Sequence, residues 1–196
     1  MSLQEIVEQV QAVYDTYKIP EEVIPQLEGE AVEDVQNKET WGYYHWLGAL
    51  VRVLRPKQIV ELGGAWGASA LVMIAESPST TIHSITLPEP PAFCCIKKEY
   101  PNLHKTIGDD LNLGIWPKGM ELQATDVWFI DSLHVKQQLE NELELYTSFF
   151  KKGALLLFDD IHINPDFYSV WLDLPYEKFD LSFLHVPSGF GMAVVS

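Results

Sequence analysis

The chain has 196 residues, 47% of them hydrophobic and 21% charged, which suits one compact domain with a sizeable core and excludes a disordered or fibrous protein. Lys and Arg number 13 against 28 Asp and Glu, and the net charge of −15 repels polyphosphate and anionic headgroups, which argues against nucleic-acid or membrane-surface partners. No apolar run reaches the roughly 20 residues that span a bilayer, the start from Met1 to Val10 has no basic signal-peptide segment, and Cys94 and Cys95 are neighbours that suit neither a disulfide framework nor a zinc site, so a cytoplasmic protein with inert thiols is expected.

Apolar residues from Leu3 to Tyr17 recur at helical spacing, and Pro20 ends that predicted helix over 3–18. A loop rich in acids follows. Trp41 to Leu54 carries Trp41, Tyr44, His45, Leu47, Leu50, Val51 and Leu54 at three- and four-residue steps, closed by Arg55 and Pro56, and predicts a helix packed on a sheet. Trp41, Tyr43, Tyr44 and Trp46 suit either buried packing or a lid. Strands are then predicted at 58–62, 81–87, 103–107, 126–130 and 154–158, with helices at 65–76, 93–100 and 135–150 between them. A helix from Pro165 to Leu172 and two strands, 179–185 and 191–195, joined by Pro187-Ser188-Gly189, form a closing hairpin. The expected fold class is α/β: a Rossmann-like, doubly wound, mostly parallel sheet of seven strands with a C-terminal antiparallel hairpin, which binds its ligand beyond the carboxyl ends of the strands. Residues 1–196 read as a single domain, with 1–55 a helical lid or packing segment and 56–196 the α/β core.

The segment Ile59 to Ser69 is a strand that breaks into a glycine turn and restarts as a helix. Glycines there let backbone approach a ligand, and helix N–H groups suit a carboxylate or phosphate; a tight turn with no ligand is the plainer alternative. Its spacing, Glu-x-Gly-x-x-x-Gly, is not the Gly-x-Gly-x-x-Gly of a dinucleotide fold. At the ends of two later strands stand Asp131 and the pair Asp159 and Asp160. Three carboxylates brought to one rim repel unless neutralised, and oxygen ligands suit Mg²⁺, Ca²⁺ or Mn²⁺; alternatively one acid caps a helix and the others face water.

Val60 to Ser69 resembles the first motif of class I S-adenosylmethionine-dependent methyltransferases, carried by Glu61, Gly63 and Gly67. The resemblance implies that Gly63, Gly64, Ala65, Trp66 and Gly67 face the methionine part of the cofactor, that Glu61 supports the turn, and that Ser69 caps near its carboxylate. It implies further cofactor contacts from Thr86, Gly108, Asp109 and Asp131, with Gly108-Asp109-Asp110 beside the adenine. Thr86 stands where the family carries a ribose-binding acid, a role that Glu89 could take over from the loop. The stretch from Asp126 to Ile161 resembles metal-dependent catechol-type O-methyltransferases, and more closely the broad methyltransferase 24 group. The group's phrases are matched by Ile130-Asp131-Ser132-Leu133-His134, Lys151-Lys152-Gly153 and Asp159-Asp160-Ile161-His162, and the likeness covers about residues 40–195. Asp160 departs from the amide of the catechol enzymes.

These likenesses imply an oxygen-methylating enzyme for a small-molecule acceptor, with Asp131 and His134 catalytic and Asp131, Asp159 and Asp160 holding a divalent metal. His162 is a further candidate for substrate or metal, whereas His45, His83, His104 and His185 read as structural or surface groups. Competing readings are a metal-independent methyltransferase, a cephalosporin-hydroxylase-like enzyme, or a cofactor-binding protein without turnover, the last motivated by Thr86. A homodimer through the aromatic N-terminal helices is compatible with the sequence, which has no heptad pattern to specify it.

Overall fold

In the computed structural model, residues 1–88, 92–186 and 188–196 are described. Seven strands, β1 (Gln58–Leu62), β2 (Thr81–Thr86), β3 (Leu103–Ile107), β4 (Val127–Ile130), β5 (Leu155–Asp159), β6 (Glu177–Asp180) and β7 (Phe190–Val194), form one sheet in the order β3-β2-β1-β4-β5-β7-β6. The first five are parallel; β7 runs antiparallel between β5 and β6. The expected fold class is therefore observed.

Side-chain alternation along the central strands builds two cores. Ile59, Phe129, Leu155 and Leu157 face one way, packed against α1 (Leu3–Tyr14), α3 (Tyr43–Leu54) and α4 (Ala68–Glu76). Val60, Leu62, Trp128, Ile130, Leu156 and Phe158 face the other, against α5 (Lys136–Tyr146) and α6 (Pro165–Asp173). Both faces of the sheet are covered, which is why these strands read as unbroken apolar runs. In the segment up to residue 55, Leu3, Val10, Trp46 and Leu47 are wholly buried.

Several boundaries differ from the sequence expectation, each for a local reason. α1 stops at Tyr14, because the Thr16 and Tyr17 amides bond the carbonyls of Val13 and Tyr14 in a tightened turn. The acidic loop contains a short helix, α2 (Glu30–Gln36). α4 begins at Ala68 rather than 65, since Ala65 (φ 38°) and Gly67 (φ 83°) are left-handed. No helix forms over 93–100: Phe93 is left-handed (φ 54°), and the amides of Phe93 and Cys95 go to the carbonyls of Ala65 and Trp66, which binds this segment to the glycine turn. The long helix predicted to residue 150 tightens into a 3₁₀ turn at Thr147–Phe149. The strand predicted over 179–185 runs instead from Glu177 to Asp180, whose carboxylate accepts the Ser182 amide at 3.0 Å and turns the chain away. The hairpin connection is accordingly long, and Pro187 lies outside the described residues.

Candidate active site

Strand order reverses between β1 and β4, and ligands of open α/β sheets bind at such a point, outside the carboxyl ends. A cleft of about 440 Å³ opens there. Of the residues singled out from the sequence, Gly63, Ala65, Trp66, Thr86, Gly108, Asp109, Asp110 and Asp131 line it, together with Leu111, Ser132, Leu133 and Gln138, which had not been assigned a contact. A small side chamber of about 50 Å³ is bounded by Tyr44, Gly64, Trp66, Ser69 and Asp131. Glu61 and Gly67 line neither space, and Glu89 lies outside the described residues.

The turn is built around Glu61 and Gly63. Gly63 and Gly64 donate their amides to the Ile85 carbonyl at 2.9 and 2.8 Å, tying the turn to β2. Gly63 has φ 95°, and a Cβ on it would overlap the Asp131 carbonyl, so only glycine lets β1 and β4 close here. Glu61 is wholly buried and accepts hydrogen bonds from Ser69 and Ser84. Ser69 is thus engaged beneath the turn by Glu61, a position different from the expected cap near a ligand carboxylate. Burial pushes the Glu61 carboxyl upward, and the two serine donors oppose that shift.

Beside the turn the three strand-end acids converge with two histidines. His134 bridges the acids, with Nε2 3.2 Å from Asp131 Oδ1 and Nδ1 2.9 Å from Asp160 Oδ2. His185 Nδ1 lies 2.7 Å from Asp159 Oδ1 and 3.4 Å from Asp160 Oδ1, while its ring packs on Trp41 and Tyr43. His185 is therefore part of the site, contrary to the structural or surface role expected for it. His162 is not: it pairs with Asp180 at 2.7 Å and packs on Tyr168. His83 stacks on His104, and His45 is buried against Tyr17.

The electrostatics follow from this crowding. Asp131 is raised well above the ordinary carboxylate range by burial and then by the Asp159 charge. Asp159 is raised by burial, against the pull of His185. Burial alone would lower His134, but its hydrogen bonds and charge contacts with Asp131 and Asp160 overcome that and bring it to about 10. Asp160 Oδ1 is buried without a hydrogen-bond partner among the described residues. Asp131, His134 and Asp159 bring ligand atoms within 4.8 Å of one another, as do Asp159, Asp160 and His185. Mutually repelling buried carboxylates with an orphaned oxygen fit a divalent cation.

No protein-family model matches the chain, and no curated protein matches it. Solved structures do. A Staphylococcus aureus protein provisionally described as a caffeoyl-CoA O-methyltransferase superposes with a TM-score of 0.69 at 14% identity, covering 98% of this chain and 100% of its own. The Podospora anserina methyltransferase PaMTH1, bound to S-adenosylhomocysteine (SAH), gives 0.68 at 16% identity over 100% and 97%. A Bacillus cereus O-methyltransferase in complex with SAH gives 0.64 at 18% identity over 97% and 100%. This is the class I methyltransferase fold. In the class I methyltransferase fold of this chain, Asp131 belongs both to the cleft beside the glycine turn and to the acid cluster. No helix among the described residues is long and apolar enough to cross a membrane.

Proposed function

We propose that the protein transfers a methyl group from S-adenosylmethionine to an oxygen of a small-molecule acceptor. The observation that carries this reading is the double position of Asp131, which lines the cleft and also bonds His134 in the acid cluster. A donor crevice and a proton-accepting group therefore share one wall. The occurrence of an SAH-bound methyltransferase and an SAH-bound O-methyltransferase among structures of the same fold supports the choice of cofactor and acceptor atom.

Gly63, Ala65 and Trp66, with Thr86, Gly108, Asp110 and Asp131, would hold the cofactor, and Glu61 would keep the turn in shape from below. When bound, S-adenosylmethionine supplies a sulfonium methyl group to the acceptor oxygen and departs as SAH. The chain's task is then to align the acceptor and take its hydroxyl proton. His134 is the group for that proton, oriented by Asp131 on one side and Asp160 on the other. Asp131, Asp159 and Asp160 would hold Mg²⁺, Mn²⁺ or Ca²⁺, whose charge would acidify the acceptor hydroxyl and release the proton that the acids retain on His134.

Calorimetric titration with S-adenosylmethionine and SAH, first with Mg²⁺ and then with chelator, tests the reading alongside mass-spectrometric detection of methyl transfer to a panel of hydroxylated small molecules. Cofactor binding, with turnover that is lost in Asp131→Asn, is the expected result. Absence of cofactor binding in both conditions would overturn the assignment.

A further inference from the structure

Large apolar side chains stand in water on both sides of His134. Leu133 and Val135, its neighbours in the chain, are 55% and 54% exposed, and Ile163 is 44% exposed. Leu133 also lines the cleft. Ile163 belongs to the loop after β5, and that loop is fastened to residue 134 before and after it. Asp160 Oδ2 lies 2.9 Å from His134 Nδ1, and the Asn164 side-chain amide donates to the His134 carbonyl at 3.4 Å. The Ile163 amide closes the loop on the Asp160 carbonyl at 2.9 Å. The three apolar side chains therefore border one stretch of rim, where an acceptor has to approach Asp131 and His134.

The loops fold through other groups. Asn164 caps α6 by accepting the Phe167 amide, and Ser132 is tied to Glu142. A single exposed apolar residue is ordinary, but three around a candidate proton acceptor mark a binding surface. The same rim is poor in cations. The two strand–helix units that carry it, residues 126–150 and 154–177, each contain five Asp or Glu, and between them they hold one Lys and no Arg. That residue, Lys136, lies 3.7 Å from Glu140, and both ring nitrogens of His134 face acids. None of the described residues that line the cleft is Lys or Arg. An anionic acceptor would meet this field, and the net charge of −15 behind it, without a partner, whereas an uncharged apolar body gains by covering Leu133, Val135 and Ile163.

We propose that the acceptor's body beyond the reacting hydroxyl is apolar and uncharged and lies over Leu133, Val135 and Ile163, and that the acidic rim discriminates against anionic acceptors, coenzyme A thioesters included. The three residues are specificity-determining residues. This inference deepens the preceding assignment of the cleft to methyl transfer from S-adenosylmethionine and rests on it.

The test measures binding of three probes to the SAH-loaded chain by calorimetry: methyl dihydroxybenzoate, the free carboxylate and the coenzyme A thioester of the same acid. The carboxylate is expected to bind about tenfold more weakly than the methyl ester at low salt, and the thioester more weakly still. The gap should narrow as salt rises from about 0.05 M to about 0.5 M. Leu133→Ser is expected to weaken the ester and the carboxylate alike, by about fivefold, through lost apolar contact. Ile163→Lys is expected to weaken the ester by a similar factor and to bring the carboxylate within about threefold of it. Both positions are exposed, and unchanged melting temperatures would show that neither variant acts through unfolding. A carboxylate bound as tightly as the ester, or a preference that neither salt nor Ile163→Lys alters, would overturn the inference. A wild-type dimer in sedimentation that Ile163→Lys dissociates would overturn it too, because a second copy would then cover the patch. Binding of SAH without binding of the ester would overturn the inference and leave the cofactor assignment standing, whereas absence of SAH binding would overturn both.

Discussion

His134 Nδ1 lies 2.9 Å from Asp160 Oδ2 while its Nε2 lies 3.2 Å from Asp131 Oδ1, so one imidazole ring joins the acid that follows β4 to the acid that follows β5. Both ring nitrogens face carboxylate oxygens, which favours the doubly protonated ring. Burial opposes that charge, but the two acids prevail and hold the ring's pKa at about 10. The folded chain therefore keeps a proton that an unfolded histidine releases near about 6.5. The stability this proton confers is fully present below that value and is lost as pH rises toward 10. His134→Gln is expected to lower unfolding free energy by about 2 kcal/mol at pH 6 in metal-free buffer, and by progressively less toward pH 10. Urea unfolding across that range checks it; a penalty that stays constant with pH would contradict the bridging role.

Glu61 gives a second, independent test, because it supports the turn from beneath and lines neither cavity. Its carboxylate accepts from Ser69 of α4 and Ser84 of β2, both buried. Removing it strands two buried hydroxyls, each costing about 1–3 kcal/mol, whereas an amide keeps the shape and an acceptor oxygen. Glu61→Ala is expected to destabilise by about 3 kcal/mol and Glu61→Gln by about 1 kcal/mol. Equal urea midpoints for the two variants would show that the hydroxyls find other partners.

The contrast between Glu61 and His185 shows how far the sequence reaches. Glu61 sits in a contiguous pattern in which strand, acid, glycines and helix follow one another within a dozen residues, so the turn was legible. The strands were legible for a similar reason: a sheet covered on both faces makes unbroken apolar runs, as at Leu155 to Phe158. His185 carries no local mark. It meets Asp159 only because Asp180 breaks β6 early and the connection before β7 folds back beside Trp41. The segment from Phe93 to Tyr100 has helix-compatible residues but gives its amides to Ala65 and Trp66, a tertiary override that local propensity cannot register. Gln138 and Glu142 lie inside the helix predicted over 135–150 with no local mark, and only the return of the chain after β3 brings Asp110 against them.

Gly63→Ala tests the closure of the sheet's switch point. A Cβ at residue 63 would overlap the backbone of Asp131 and Ser132, which cannot swing aside as a flexible side chain could. The residue also holds φ 95°, where an L side chain is strained. β1 and β4 must part locally, and Asp131 must move with them. The expected result is loss of SAH binding by more than about a hundredfold, equivalent to about 3 kcal/mol, together with a lowered melting temperature. Unimpaired calorimetric binding would show that the turn can re-form without closing against β4.

Glu142 links the cleft wall to stability through pH. Only 1% of its surface is exposed, and burial raises its carboxyl to about 8, with the Asp110 charge adding to the shift and the hydrogen bonds from Ser132 and Gln138 opposing it. An unfolded glutamate releases its proton near 4.5, so between that value and about 8 the folded state binds more protons than the unfolded one. Stability must then fall as pH rises through this window, the reverse of an acid that is held ionised by a salt bridge. Glu142→Gln keeps an acceptor oxygen for Ser132 and removes the titration. The variant is expected to match the wild type near pH 5 and to exceed it by on the order of 2–4 kcal/mol near pH 8, a melting-temperature gain of roughly 4–16 °C for a chain of this size. Scanning calorimetry at the two pH values measures both differences. A variant less stable than the wild type at pH 8 would mean that the folded protein holds Glu142 as a carboxylate, with a partner for its second oxygen that compensates for burial.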